Sequence, residues 1–386
     1  MKFFITNSKK SDNNYFYARN YLIELCCEFD LEYFEKISNR YIVHLCYTGD
    51  INNLIIANKS YLSFCVGPYI GQIDSGFDSS ITNREFIRDR FLRVKIINNE
   101  VIIENDHVGS IPLFYSLRDH ISLSNIESVV VLDSNCDYED ISPSNMYGYL
   151  RYGHYIWDET LFYHIFLQEP DSEFIFNLDD NSVSKKNLYT IKCSESRKYH
   201  SDLEIASELK NLNLELVNSS LSNAEEIILP LSAGYDSRML LVALSENEKL
   251  KRNLICFTYG PKGSIEVESA KRLCKLYDVD WHHIDLPCQY LKKKYLYKIG
   301  LIFGSSLHFH GMYQLEFWEQ IRRFVKTDNP ILISGFMTGV PVGQHISKLH
   351  IYSSKCILTE AMNEFSQSKV FTDTELLDMS KKFDES

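Results

Sequence analysis

No apolar run in this sequence approaches the ~18 residues that a membrane-spanning helix needs. The N-terminus, Met1-Lys2-Phe3-Phe4-Ile5-Thr6-Asn7, meets lysine and asparagine too soon for a signal peptide. The 10 cysteines form no C-x-x-C pair and repeat no spacing, which removes the usual signs of a zinc site or a disulfide framework. Scattered cysteines in a chain without an export signal are expected to be reduced thiols buried as small hydrophobes, and the chain is expected to be cytoplasmic. Positive charge is also in short supply. Forty Lys and Arg stand against 52 Asp and Glu, and the net −12 argues against nucleic acid or an anionic membrane as partner. Only 3 residues are Trp, whereas 25 Tyr and 23 Phe are spread along the whole chain, a compositional bias and not a local binding surface. Internal repeats and low-complexity segments are absent.

What remains is ordinary for a folded protein. At 45% hydrophobic and 24% charged, the composition excludes a disordered or fibrous chain. The 386 residues are too many for one compact domain and suit two. From residue 1 to about 190 the signals are strand-like. Tyr41 to Tyr47 is rich in β-formers, and Phe91 to Ile97 and Val101 to Glu104 flank Asn98-Asn99, a hairpin turn by composition. Pro112 to Ser116 and Glu173 to Asn177 are further strand candidates, so stacked antiparallel sheets with a few helices are expected. Ser194 to Lys198 is polar and aperiodic and marks the boundary between domains at 1–193 and 200–386.

Beyond it the rhythm changes. Ile205, Leu209, Leu212 and Leu216 recur at helical spacing and predict a helix from about 202 to 221. Strands are predicted at Ile227 to Leu231, Leu254 to Thr258, Trp281 to Leu286 and Ile331 to Ile333. Helices are predicted between them, one beginning near Ser237 and one carrying Ala270, Leu273, Cys274 and Tyr277 on one face. Alternating strands and helices imply a parallel sheet, whose ligand site lies beyond the carboxyl ends of its strands.

The informative segment is Leu231-Ser232-Ala233-Gly234-Tyr235-Asp236-Ser237-Arg238, after a strand and opening a helix. Small residues there let main-chain amides approach an anion, and the helix start adds partial positive charge. Ser232 and Ser237 can bond phosphate oxygens, while Asp236 can hold a Mg²⁺ that bridges them. The simpler alternative is a strand-to-helix turn capped by Asp236 or Ser237.

This segment resembles the S-G-G-x-D-S pyrophosphate loop of asparagine synthetase and its relatives. The likeness continues in order through Phe257-Thr258-Tyr259-Gly260, Ser264-Ile265-Glu266 with Ala270, His283, and Ser334-Gly335. Upstream, Asp106 to Tyr115 is similar to the D-x-x-G-x-x-P-L-Y-Y of that family's N-terminal domain. Tyr149 to Gly153, with Thr160, Leu161, Phe162 and Ile165, is similar to its inter-domain segment. The resemblance implies an ATP-pyrophosphatase synthetase domain behind an Ntn-hydrolase-like domain. Such enzymes activate a carboxylate as an acyl adenylate, release pyrophosphate and let an amine displace AMP. It further implies that Ser232, Gly234, Asp236 and Ser237 hold pyrophosphate and Mg²⁺. Leu231 and Tyr259, with Ser334 and Gly335, would bracket the adenosine of ATP.

Three departures qualify the implied chemistry. Glutamine-using members carry a cysteine nucleophile at position 2, where this chain has Lys2, so no glutaminase step is expected. Within Ser334 to His345, Gly339 stands where the family places a second metal carboxylate, leaving Asp236 as the metal ligand. The chain stops at Ser386, soon after this motif, so the domain is expected to be a shortened variant or a fragment. Two functions follow. One is an amide ligase using ammonia or an amine, as in the β-lactam synthetase and peptide-cyclase branch, with a small-molecule, sugar or peptide carboxylate as substrate. The other is a catalytically degenerate homologue that binds nucleotide or a partner. A homo-oligomer is left open.

His282-His283 with Cys288, and His308 with His310, lack a matched second cluster at zinc spacing and are read as ordinary histidines. Lys292-Lys293-Lys294 and Arg322-Arg323 are read as solvated helix faces, and Asn218-Ser219-Ser220 as a glycosylation pattern without meaning unless exported.

Overall fold

The computed structural model describes residues 1–9, 12–51, 55–57, 61–67, 90–152, 155, 158–188, 201–286, 293–306, 312–327 and 330–335. They fall into two compact units, residues 1–188 with 297–306, and residues 201–296 with 312–335. The architecture is mixed α and β, antiparallel sheets in the first unit and a parallel sheet in the second.

In chain order the first unit contains β1 (Lys2–Thr6), α1 (Asn13–Glu28), β2 (Glu32–Ile37), β3 (Ile42–Tyr47), β4 (Ile55–Ala57), β5 (Tyr61–Val66), β6 (Leu92–Ile97) and β7 (Glu100–Asn105). It continues with β8 (Phe114–Ser116), β9 (Ser122–Ser124), α2 (Glu127–Asp133), α3 (Pro143–Tyr152), β10 (Phe166–Leu167), β11 (Ser172–Asn177) and β12 (Ser182–Asn187). Two six-stranded sheets result, ordered β10-β8-β9-β1-β3-β2 and β12-β11-β7-β6-β5-β4. Their strands pair antiparallel, and the predicted hairpin joins β6 to β7 with Asn98 at φ 54.

Period-two alternation explains the layering. Phe3 and Ile5 of β1 join Val43, Leu45, Phe64, Val94, Ile103 and Phe174 in the core between the sheets. Phe4, pointing the other way, joins Leu22 and Leu25 of α1 and Val129 of α2. A strand covered on both faces is buried at every step, and β3 is buried at all six positions, its His44 side chain bonded by the Tyr15 and Tyr33 hydroxyls. The D-x-x-G motif has a structural role here. The buried Asp106 carboxylate accepts from the Phe91, Val108 and Ser110 amides at 3.0–3.2 Å, and Gly109 at φ +61 turns the chain toward β8.

One expectation is corrected. Cys26 and Cys46 are joined in a disulfide between α1 and β3, with Cα atoms 5.9 Å apart, so not every thiol is reduced. Both residues project into the apolar layer between helix and sheet, a proximity that a sequence separation of 20 does not reveal. No helix among the described residues is long and apolar enough to cross a membrane.

The second unit runs α4 (Asp202–Leu221), β13 (Ile227–Pro230), α5 (Tyr235–Ser245), α6 (Glu248–Arg252), β14 (Leu254–Tyr259), α7 (Ile265–Tyr277), β15 (Asp280–Ile284), the start of α8 (Lys293–Phe303, assigned to the first unit from Tyr297 on), α9 (Met312–Ile321) and β16 (Ile331–Leu332). A Ser201–Glu204 capping box starts α4 where predicted. This helix packs through Val217 and Leu221, while Ile205, Leu209, Leu212 and Leu216 stay exposed. The four strands are parallel in the order β15-β14-β13-β16, and the central β13 and β14 are covered on both faces. Ile227 and Leu229 meet residues of α4, α5 and α7, whereas Ile228 and Phe257 meet Phe317 and Ile321 of α9.

The chain steps outward from β13 to β15 and then returns to the opposite side of β13 as β16. Buried Glu226 fixes that return. Its carboxylate accepts from the Lys326 and Thr327 amides and the Thr327 hydroxyl at 2.9–3.1 Å, and its carbonyl accepts from Ile331. Burial alone would raise this carboxyl, but those hydrogen bonds and the Lys326 charge hold it below the usual glutamate range. A group depressed in this way stabilises the fold above its unfolded pKa, and the effect fades as pH falls through the folded value. Glu226→Gln is therefore expected to cost about 1.5–3 kcal/mol at pH 7. In urea titrations the gap from wild type should narrow below pH ~4.3, the ordinary glutamate value; a gap constant to pH 3 contradicts the assignment.

Candidate functional site

The reversal of strand order places the ends of β13 and β16 side by side. This is the position where an open parallel sheet leaves a crevice for ligands. From β13 the chain passes through Leu231 and turns into α5, whose N-cap is Gly234 and which has no side-chain cap. Neither Asp236 nor Ser237 caps the helix, so the simpler turn alternative does not describe it. An uncapped helix start leaves main-chain N–H groups in need of an acceptor.

The loop is held by its own hydroxyls. Buried Ser237 accepts from the Ser232 amide at 3.1 Å, and its Oγ lies 2.9 Å from Ser232 Oγ. Ser232 Oγ accepts in turn from the Gly234 amide at 3.1 Å. Arg238 donates from Nε to the Gly234 carbonyl at 3.1 Å, its guanidinium 4.3 Å from the ring centre of the exposed Tyr235. Asp236 lies in the first turn of α5, half-buried.

Beyond β16 come Ser334, exposed, and Gly335. A Cβ on Gly335 would stand 2.8 Å from the Asp236 carbonyl carbon and the Ser237 nitrogen, so only glycine permits this approach. Leu231 is buried, its amide bonded to the Phe257 carbonyl and its carbonyl to Thr258 Oγ1, both at 2.8 Å. Tyr259, at the end of β14, sets its ring 5.1 Å from that of Phe317. Seven predicted residues, Leu231, Ser232, Gly234, Asp236, Ser237, Ser334 and Gly335, thus gather at one strand junction, and Tyr259 lies one strand away.

Two residues named above only within a strand or the family likeness also take part. Thr258 Oγ1 accepts from Trp281 Nε1 at 3.1 Å while donating to Leu231, which ties three neighbouring strands together. Glu266, in the first turn of α7, accepts a hydrogen bond from the Ala233 amide through Oε2. The histidines take bland roles as expected: His283 Nε2 bonds the Gly260 carbonyl, and His282 lies near Asp280 and stacks on Phe324. Cys256 is no nucleophile, because a hydrogen bond with Cys274 and burial push its thiol far up. Among the described residues no three His, Cys, Asp or Glu gather as a metal site. Arg322 and Arg323 are exposed. Cys288, His308, His310, Lys292 and the segment 336–345 with Gly339 lie outside the described residues.

No family model matches this chain, and no curated protein is similar to it. Structural similarity is found with the NH3-dependent NAD synthetase of Campylobacter jejuni, at 18% identity and a TM-score of 0.22. That alignment covers 32% of this chain and 50% of the other, so this chain spans about half the length of that synthetase. Glutamine phosphoribosylpyrophosphate amidotransferase of B. subtilis aligns at 11% identity over 76% of this chain and 67% of its own, with a TM-score of 0.31. An allosteric regulatory enzyme of purine biosynthesis gives 9% identity, 74% and 80% coverage, and the same TM-score of 0.31. Superpositions this loose carry no argument about the site, which stands on its own geometry.

Gly335→Ala is expected to destabilise the second unit by about 1–3 kcal/mol through overpacking and to speed hydrogen exchange at Ser232 to Ser237. Gly300→Ala is the control, since a Cβ there meets nothing within 4 Å. Unchanged exchange in Gly335→Ala would show that the two segments do not press together.

Proposed function

We propose that this protein is an ATP-dependent amide ligase of the asparagine-synthetase-like kind. It adenylates a carboxylate, releases pyrophosphate and passes the acyl group to ammonia or an amine. The observation that carries this reading is the uncapped start of α5, walled by Gly335 and lined by two serine hydroxyls, at the switch point of the parallel sheet.

The donor set suits a nucleotide phosphate. Hydroxyls and helix-start amides bond phosphate oxygens, and the partial positive charge of α5 favours the anion. Asp236 would hold Mg²⁺, which commonly takes one or two protein carboxylates and completes its shell with phosphate oxygens and water. When bound, the metal supplies positive charge to the departing pyrophosphate. The remaining donors would be fixed beforehand by the loop's own bonds, and preorganised donors facing developing charge are the form of catalysis that accelerates most. Leu231, Tyr259 and Ser334 would border the adenosine, and the substrate carboxylate belongs to a small molecule, sugar or peptide. The reaction is assigned to the cytoplasm, where ATP is at hand.

The test is thermal unfolding with Mg-ATP for wild type and Asp236→Ala. A ligand at about a hundredfold its dissociation constant adds ~2.7 kcal/mol of stability. The expected result is a shift in wild type that is lost in Asp236→Ala, followed by pyrophosphate release when carboxylates are supplied. Cooperative unfolding without a shift in either protein overturns the ligase reading and leaves a partner-binding homologue.

A further inference from the structure

We propose that Glu266 is a resident anion of the Ser232–Ser237 loop, occupying the Ala233 amide until a phosphate-bearing ligand displaces it. It thereby sets the affinity of the site. The inference rests on the phosphate-binding reading of that loop.

One loop amide has a partner of a different kind from the other two. Ser232 N–H goes to the Ser237 hydroxyl and Gly234 N–H to the Ser232 hydroxyl, both neutral and both within the loop. The Ala233 N–H between them goes to a carboxylate 33 residues further along, on another helix. The loop therefore already binds an anion at its central amide, and that anion is the protein's own. This observation is separate from the uncapped start of α5 and points to the same ligand class.

Glu266 is built to leave. It is exposed, and the Ala233 amide is its one hydrogen-bond partner among the described residues. Its place in the first turn of α7, behind the Ser264 cap, keeps its charge favoured by that helix whether or not it touches the loop. A ligand oxyanion and this carboxylate cannot share one N–H, and their like charges repel at such range. Arg238 does not relieve the conflict, since its Nε is held on the Gly234 carbonyl and its guanidinium lies over Tyr235.

Two other roles for Glu266 predict opposite results. A tether that shapes the loop, or a ligand for the metal, would make its removal weaken binding. The experiment is calorimetric titration of inorganic pyrophosphate without metal into wild type, Glu266→Gln, Glu266→Ala and Glu268→Gln. Glu268 is the other acid in the same turn of α7. The expected outcome is binding about tenfold tighter in both Glu266 variants, as the loss of one charge-assisted contact to a competitor implies. Glu268→Gln should stay within about twofold of wild type, because it changes the same net charge without touching the loop. Equal or weaker binding in the Glu266 variants, with wild type binding, overturns the proposal and leaves the phosphate site standing. Tightening by Glu268→Gln as large as by Glu266→Gln reduces the effect to general charge and also overturns it. Absence of binding in all four proteins removes the site and the proposal together, whereas binding that appears only in the Glu266 variants supports both.

Discussion

The parallel pairing of β16 with β13 is the constraint on which the second unit is organised. Two strands of a sheet can be adjacent in space while their connections leave toward opposite faces, and the gap between those departing chains is then open. Here α5 and α7 cover the face that holds Leu229 and Cys256, while α9 covers the face that holds Ile228 and Phe257. The ends of β13 and β16 meet in that gap. The Glu226 side chain holds the turn before β16, and main-chain bonds from Ile331 and Ile333 to the Glu226 and Ile228 carbonyls set the register of β16. The turn held by this buried carboxylate at the amino end of the sheet thus leads into the strand whose far end meets α5.

The first unit obeys a different rule. Its inner strands β1 and β3 lie between two apolar layers, so each must satisfy both, and β1 does so by alternating Phe3 and Ile5 with Phe4. The β-former content of Tyr41 to Tyr47 made β3 legible as a strand, but not the cover on both of its faces. The Asn98-Asn99 hairpin was legible too, since asparagine tolerates the left-handed conformation that Asn98 adopts. The Cys26–Cys46 pairing was not, because a disulfide depends on where two chains cross and not on spacing. The helical stripe of α4 was read correctly as a helix, but periodicity reports an apolar face and not what covers it. Its leucines accordingly remain exposed.

The candidate site divides along the same line. Ser232 to Ser237 could be found because a strand, a run of small residues and a helix start form a local pattern with a local physical reason. Gly335 was named from its place after a strand, but its pressure against Asp236 and Ser237 exists only once the strand order has reversed. Glu266 was named only as part of the Ser264-Ile265-Glu266 match to the family, with no role on the loop. An acid in the first turn of a helix is expected from the helix dipole alone, so its second partner on the loop could not be told from its first reason for being there. Glu226 was hidden for the same reason, as an acid ahead of an apolar strand resembles any solvated residue.

These parts divide the work of binding an anion in a physically sensible way. The hydroxyl pair and the wall at Gly335 fix the shape of the loop before any ligand arrives, so little conformational entropy is left for binding to remove. Shape and affinity are then controlled by different residues. Removing a hydroxyl or filling the space at Gly335 alters the geometry of every donor at once. The Glu266 carboxylate alters the charge seen by the ligand at one amide and leaves the rest of the loop bonded to itself. A loop preorganised by neutral hydroxyls and occupied by one removable charge can keep its form in the free protein and still exchange that charge for a phosphate.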